Sequence, residues 1–168
     1  MQHFFSNIND LTLCSLISMF ETILYTKKSK TTLLIRLMVG AVFLSEGLQK
    51  LILSDLRGAG RFEEIGLPFP EFLGSFVGAF EILCGFLILL GALTRLACIP
   101  LLLIIISAIA STKIVILTDK GIWNFLHEIR TDWAMLLGLL YLFIKGAGYW
   151  SVDIKLAKKK RHIDSRLS

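Results

Sequence analysis

The sequence predicts an all-α integral membrane protein, a membrane four-helix bundle with an N-terminal interfacial amphipathic helix. Three observations lead there. Hydrophobic residues make up 55% of the 168 and charged residues 18%, with mean hydropathy +0.71, whereas an ordinary soluble domain carries about 25% charged residues. The charges are sparse in four runs of about 20 residues, the length that crosses a hydrocarbon core roughly 30 Å thick. Within lipid the backbone must satisfy its own polar groups, so such runs are read as helices. This composition excludes a soluble enzyme, a disordered tail and a secreted disulfide scaffold.

Taken in chain order, residues 1–31 form an amphipathic segment and basic linker. Ser15, Ser18, Thr22 and Thr26 recur at helical spacing, with Leu13, Leu16, Ile17, Phe20 and Leu24 mainly elsewhere on the wheel. Lys27, Lys28 and Lys30 follow the apolar run instead of preceding it, which disfavours a cleaved signal and favours an interfacial helix. The bundle domain occupies residues 32–153, with spans expected at 33–53, 72–93, 96–117 and 132–150. Only Thr94 and Arg95 separate the second span from the third, so those two form a tight antiparallel hairpin. The 54–71 connection carries glycine breakers and charges; a short interfacial helix is expected near 60–65, then an extended turn ending where Pro70 opens the next helix. Residues 118–131 are expected as a surface loop, and 154–168 as a basic cytoplasmic tail.

Orientation follows from the basic residues. With both termini cytoplasmic, twelve of the 18 Lys and Arg lie inside or at the inner edge. The other six (Lys50, Arg57, Arg61, Lys113, Lys120 and Arg130) lie outside, which favours N-in and C-in in a bacterial-type inner membrane. The densest basic run, Lys158 to Arg161, abuts the last span; that position suits the lipid bilayer as partner and argues against nucleic acid.

The intramembrane charges carry the functional signal. Glu81 falls near the middle of the second span, where a charge costs about 2.5–3.5 kcal/mol. It shares a helix face with Gly74, Gly78 and Gly85, the small residues at which membrane helices approach. Glu46 and Lys50 stand at i, i+4 in the orientation that favours an ion pair. An antiparallel bundle gathers Glu46, Lys50, Glu81, Lys113, Arg130 and Asp132 in its outer half, and brings Arg36 toward Asp153 at the inner edge. Three uses of the outer set stay open: helix pairing and register, a proton relay or polar ligand site, and simple placement near the surface.

Other motifs exclude chemistry. Cys14, Cys84 and Cys98 are isolated and form no zinc or thioredoxin spacing. His127, Glu128, Arg130 and Asp132 lack the converging histidines of a metal site, so no metal is expected. Arg130 is instead expected to pair with a carboxylate of the first outer loop or near Asp132, fixing that loop as a lid. Gly146 and Gly148 mark a helix end and not a dinucleotide fingerprint.

In these residues the chain resembles the DoxX family of small four-helix membrane proteins. The resemblance rests on Arg36-Leu37 with Gly40, Glu46-Gly47 and Lys50-Leu51, then Gly66-Leu67-Pro68 with Pro70. It continues through Glu81 with Gly85, Gly91 with Thr94-Arg95, and Gly146-Ala147-Gly148 followed by Ser151-Val152-Asp153. The family is similar to the membrane subunit of an archaeal thiosulfate:quinone oxidoreductase, and some members associate with thiol-detoxifying and superoxide-removing enzymes. The resemblance therefore implies a non-catalytic membrane subunit or anchor of a quinone- or thiol-linked redox complex, in oxidative-stress or sulfur metabolism, with a soluble redox enzyme as partner. No flavin, haem or iron–sulfur motif is evident, and a quinone is the cofactor the resemblance leaves room for. The alternatives are a proton or small-solute carrier using the Glu/Lys/Asp set, and a membrane assembly or chaperone-like factor. The sequence leaves the oligomeric state open.

Overall fold

The computed structural model describes residues 29–158. The expected amphipathic helix within 1–28 and the last ten residues of the basic tail lie outside the described residues. Among the described residues the chain is helical and contains no strand.

Helix α1 spans Thr31–Ile52 and buries Thr32, Arg36, Val39, Gly40, Phe43 and Gly47, a single face at helical spacing. Two short helices, α2 (Ser54–Arg57) and α3 (Ala59–Glu64), carry the chain across one end of the bundle. Gly66 at φ 72° and Phe69 at φ 53° then turn it back, and α4 (Pro70–Leu90) begins with Pro70 in its first turn. Gly91 at φ 66° ends α4, and after two residues α5 (Thr94–Ala108) begins: the hairpin expected at Thr94-Arg95.

Helix α5 runs through a π turn at Ile109–Lys113 into α6 (Ile114–Lys145), and α6 is broken at Gly121, whose φ 79° and ψ 174° are not helical. Four rods result: 31–52, 70–90, 94–119 and 122–145. Here the structure corrects the sequence reading. Residues 122–131 are helix and not a surface loop, because Phe125, Ile129, Asp132, Met135, Leu139 and Leu142 continue one inward face without interruption. The fourth rod accordingly starts ten residues earlier than expected. It also stops at Lys145, where Gly146 at φ 78° ends the helix.

The first and fourth of these helices in chain order, α1 and α4, cross glycine on glycine. A Cβ at Gly47 would lie 2.6 Å from the Gly78 carbonyl oxygen, and one at Gly85 would lie 2.9 Å from the Leu44 amide nitrogen. Without hydrophobic drive between helices in lipid, such backbone approach supplies the dispersion contacts that hold them. The core between the rods is apolar: Val39, Ile88, Cys98, Leu101, Leu139 and Leu142 are fully covered. Leu34, Phe72, Leu83, Leu103, Ile106 and Ile144 point outward with more than half their surface uncovered. Apolar residues both inside and outside are the mark of a bundle solvated by lipid.

Three helices, Thr31–Ile52, Pro70–Leu90 and Thr94–Asp119, are long and apolar enough to cross a membrane. The fourth rod carries Glu128, Arg130 and Asp132 in its first half, before its longer apolar stretch.

Candidate functional site

The half of the bundle next to α2 and α3 holds two carboxylate–lysine–carboxylate groups. In the first, Lys50 of α1 reaches across the glycine crossing to Glu81 of α4, with Nζ 2.6 Å from Oε2, and lies 3.9 Å from Glu46 one turn behind it. Glu81 is only 3% exposed and Lys50 16%. The small faces of Gly47 and Gly78 make this contact available, since they bring the two backbones close enough for a lysine and a glutamate to meet. In the second, Lys113 at the end of the π turn lies 3.5 Å from Glu128 and 3.6 Å from Asp132, both on the fourth rod. The extra residue of a π turn shifts the helix face that follows, and here Lys113 lies within ion-pair distance of the neighbouring rod.

Both groups line one cavity of about 440 Å³. Its walls include Val42, Phe43, Ile104, Ile105 and Met135, with Phe62 and Ile65 from the 54–71 connection. All six residues expected in the outer set, Glu46, Lys50, Glu81, Lys113, Arg130 and Asp132, line this cavity. Their pairing differs from the expectation in two respects. Lys50 makes its short contact with Glu81 and only a long one with Glu46. Arg130 contacts His127 (Nη1 to Nδ1, 3.4 Å), and Lys113 takes the carboxylates that Arg130 was expected to hold. The reason is position: Arg130 and His127 lie three apart on one exposed helix face, whereas Lys113 is 13% exposed and faces inward. Arg57, Arg61, His127 and Glu128 line the same cavity and were not in the expected set. No charge excess announces them: residues 54–71 hold Arg57 and Arg61 against Asp55, Glu63, Glu64 and Glu71.

At the opposite end of the bundle, Arg36 and Asp153, expected as a pair at the inner edge, occupy one polar knot without forming a direct ion pair. The Arg36 guanidinium donates to the carbonyl oxygens of Ala147 (2.9 Å), Trp150 (3.0 Å) and Tyr149 (3.4 Å). The Asp153 carboxylate accepts from the backbone N–H of Leu93 (2.7 Å) and Thr94 (3.2 Å), capping α5, while its own N–H donates to Gly91 (3.0 Å). Burial pushes the Asp153 carboxyl above its usual range, against the opposing pull of those amides and of Arg36. Gly91 sits against Arg36 and Ser151, where a Cβ would meet Arg36 Nη1 at 2.5 Å and Ser151 Cβ at 2.6 Å. This knot ties the chain after the fourth rod to the hairpin and to α1, so its evident work is structural.

Among the described residues no group of three or more His, Cys, Asp or Glu could hold a metal ion. Cys84 and Cys98 are buried free thiols in the core.

A lipid-solvated, all-helical bundle with a charged cavity in one half defines the class: a small integral membrane protein. Its family follows from comparison. The DoxX family model matches residues 31–114, half of the chain, and the chain belongs to that family. It is 45% identical over 143 residues to an uncharacterized membrane protein of Mycobacterium tuberculosis, a match covering 82% of this chain and 88% of the relative. It is 29% identical over 132 residues to CatD of Bacillus subtilis, a protein provisionally named as an oxidoreductase, covering 78% of this chain and 90% of the relative. No solved structure matches the chain.

Proposed function

We propose that this chain is the membrane subunit of a redox complex, and that its outer cavity receives the headgroup of a quinone. The observation that carries this reading is the Lys50–Glu81 hydrogen bond of 2.6 Å at an apolar-walled cavity. A quinone ring is flat and apolar, with carbonyl oxygens that need donors. Phe43, Ile105 and Met135 suit the ring, and the Lys50 ammonium suits an oxygen. Quinone reduction takes up protons together with electrons. In that setting Lys50 donates the hydrogen bond, and Glu81 holds Lys50 in place and exchanges protons with it. Lys113, Asp132 and Glu128 form the neighbouring acid–base group toward the cavity's outer side. The name given to CatD supports a redox setting, and a soluble enzyme would supply the electrons.

A solute or proton carrier is the weaker reading. Val39, Ile88 and Leu142 are fully buried at levels between the cavity and the inner-edge knot, so a route across would have to pass dry packing. The same reading of the rods gives four crossings of a bacterial-type plasma membrane, with Lys30 and Lys155 at the cytoplasmic face. Reporter fusions at residue 30 and residue 155 should both report the inside.

Affinity isolation in a mild detergent, with partner identification and quinone extraction, tests the function. The expected result is a soluble redox enzyme together with bound quinone. Recovery of the chain alone, free of quinone and with unchanged oxidant resistance on deletion, would contradict it.

A further inference from the structure

Four carboxylates and five Lys or Arg side chains line the cavity, nearly balanced in sum but not paired one to one. Lys50 is held between Glu46 and Glu81, and Lys113 between Glu128 and Asp132. That leaves Arg57, Arg61 and Arg130 lining the same cavity with no carboxylate within ion-pair distance among the described residues. They come from three separate elements, α2, α3 and the fourth rod, yet face one opening. Acids are present on the same connection: Asp55, Glu63 and Glu64 lie on α2 and α3, but they neither line the cavity nor pair with these guanidiniums. Beside them stand Phe62 and Ile65, so the mouth combines cationic forks with apolar surface.

We propose that the cavity mouth binds an amphiphilic anion, with its carboxylate or phosphate on Arg57, Arg61 and Arg130 and its apolar body against Phe62 and Ile65. Guanidinium is the side chain whose planar fork matches both anions, and it is the cation most easily withdrawn from water. The His127 contact supports one of the three: with Nδ1 lying 3.4 Å from Arg130 Nη1, an imidazole accepting there fixes the guanidinium without neutralising it. This site lies above the Lys50–Glu81 pair and does not depend on a quinone occupying the floor.

The anion has two sources, a phospholipid headgroup or a free aryl or alkyl carboxylate, and the test separates them. Thermal unfolding of the full chain is followed in neutral detergent with benzoate or benzyl alcohol, and in nanodiscs of phosphatidylglycerol or phosphatidylcholine. The same measurements are made on Arg57→Gln/Arg61→Gln, whose changed side chains are exposed and leave the fold intact. Stabilisation by benzoate over benzyl alcohol, lost in the double variant, assigns a free carboxylate. Stabilisation by phosphatidylglycerol over phosphatidylcholine, lost in the variant, assigns a headgroup. Both effects, each reducing the other, assign one site open to either. No anion-dependent stabilisation, or an effect equal in wild type and variant, overturns the proposal.

Discussion

Lys50 Nζ lies 2.6 Å from Glu81 Oε2, beside the close approach of Gly47 and Gly78, with the Glu81 side chain only 3% exposed. A pair so placed has been withdrawn from water on both sides, so removing one partner is far more damaging than removing both. Lys50→Met should lower stability by about 3–5 kcal/mol, and Glu81→Leu by a similar amount. The double variant Lys50→Met/Glu81→Leu should recover most of that loss. Denaturation of each variant in one detergent checks it. Additive losses would mean that the two side chains are not coupled.

The glycine crossing makes a graded prediction. A Cβ at Gly47 meets backbone at 2.6 Å, whereas one at Gly78 has its closest contact at 3.2 Å. Overpacking of a tight contact costs about 1–3 kcal/mol, so Gly47→Ala should sit toward the top of that range and Gly78→Ala toward the bottom. Thermal unfolding of the two variants ranks them. The reverse order would place the closest approach elsewhere.

Gly121 divides the third rod from the fourth. Its φ 79° and ψ 174° belong to a region that essentially glycine alone enters, and nothing lies within 4 Å of its would-be Cβ. The penalty in Gly121→Ala is therefore backbone strain without clash, about 1–3 kcal/mol. Thermal unfolding of the variant beside the parent measures that penalty. Unchanged stability would contradict the assigned break.

Asp153 makes a pH prediction. Burial raises its carboxyl pKa in the folded chain, so the fold binds that proton more tightly than the unfolded chain does. Its contribution to stability is then greatest below the ordinary carboxyl range and declines as pH rises through the raised value. Asp153→Asn should flatten this part of the stability–pH curve while keeping one acceptor for the hairpin amides. Asp153→Ala should lose both caps, about 1–3 kcal/mol, at every pH. An unaltered pH slope in Asp153→Asn would assign the dependence to another group.

Much of this architecture is legible in one dimension, and the reasons differ by element. The α1 and α4 faces are readable because glycines and charges recur at helical spacing, and Glu81 is the least bland of those charges so deep in an apolar run. The Thr94-Arg95 hairpin is forced by the shortness of the link. The 122–131 helix is harder to see, because charges at Glu128, Arg130 and Asp132 look like a surface loop until the inward face of Phe125, Ile129 and Asp132 is laid on a wheel. Which base takes which acid is harder still. Lys113 reaches Glu128 and Asp132 across rods that its linear neighbourhood does not specify, and a π turn at Ile109–Lys113 has no sequence signature to announce it.

The central claim is that the outer cavity, with Lys50 and Glu81 at its floor, receives a quinone headgroup. Photo-crosslinking with a quinone analogue bearing the reactive group on its ring, followed by peptide mapping, tests it most directly. Labels on Phe43, Ile105 and Met135, suppressed by excess unlabelled quinone and weakened in Lys50→Met, are the expected result. Labels confined to lipid-facing positions such as Leu34, Leu103 and Ile144, or insensitive to competition, would contradict it.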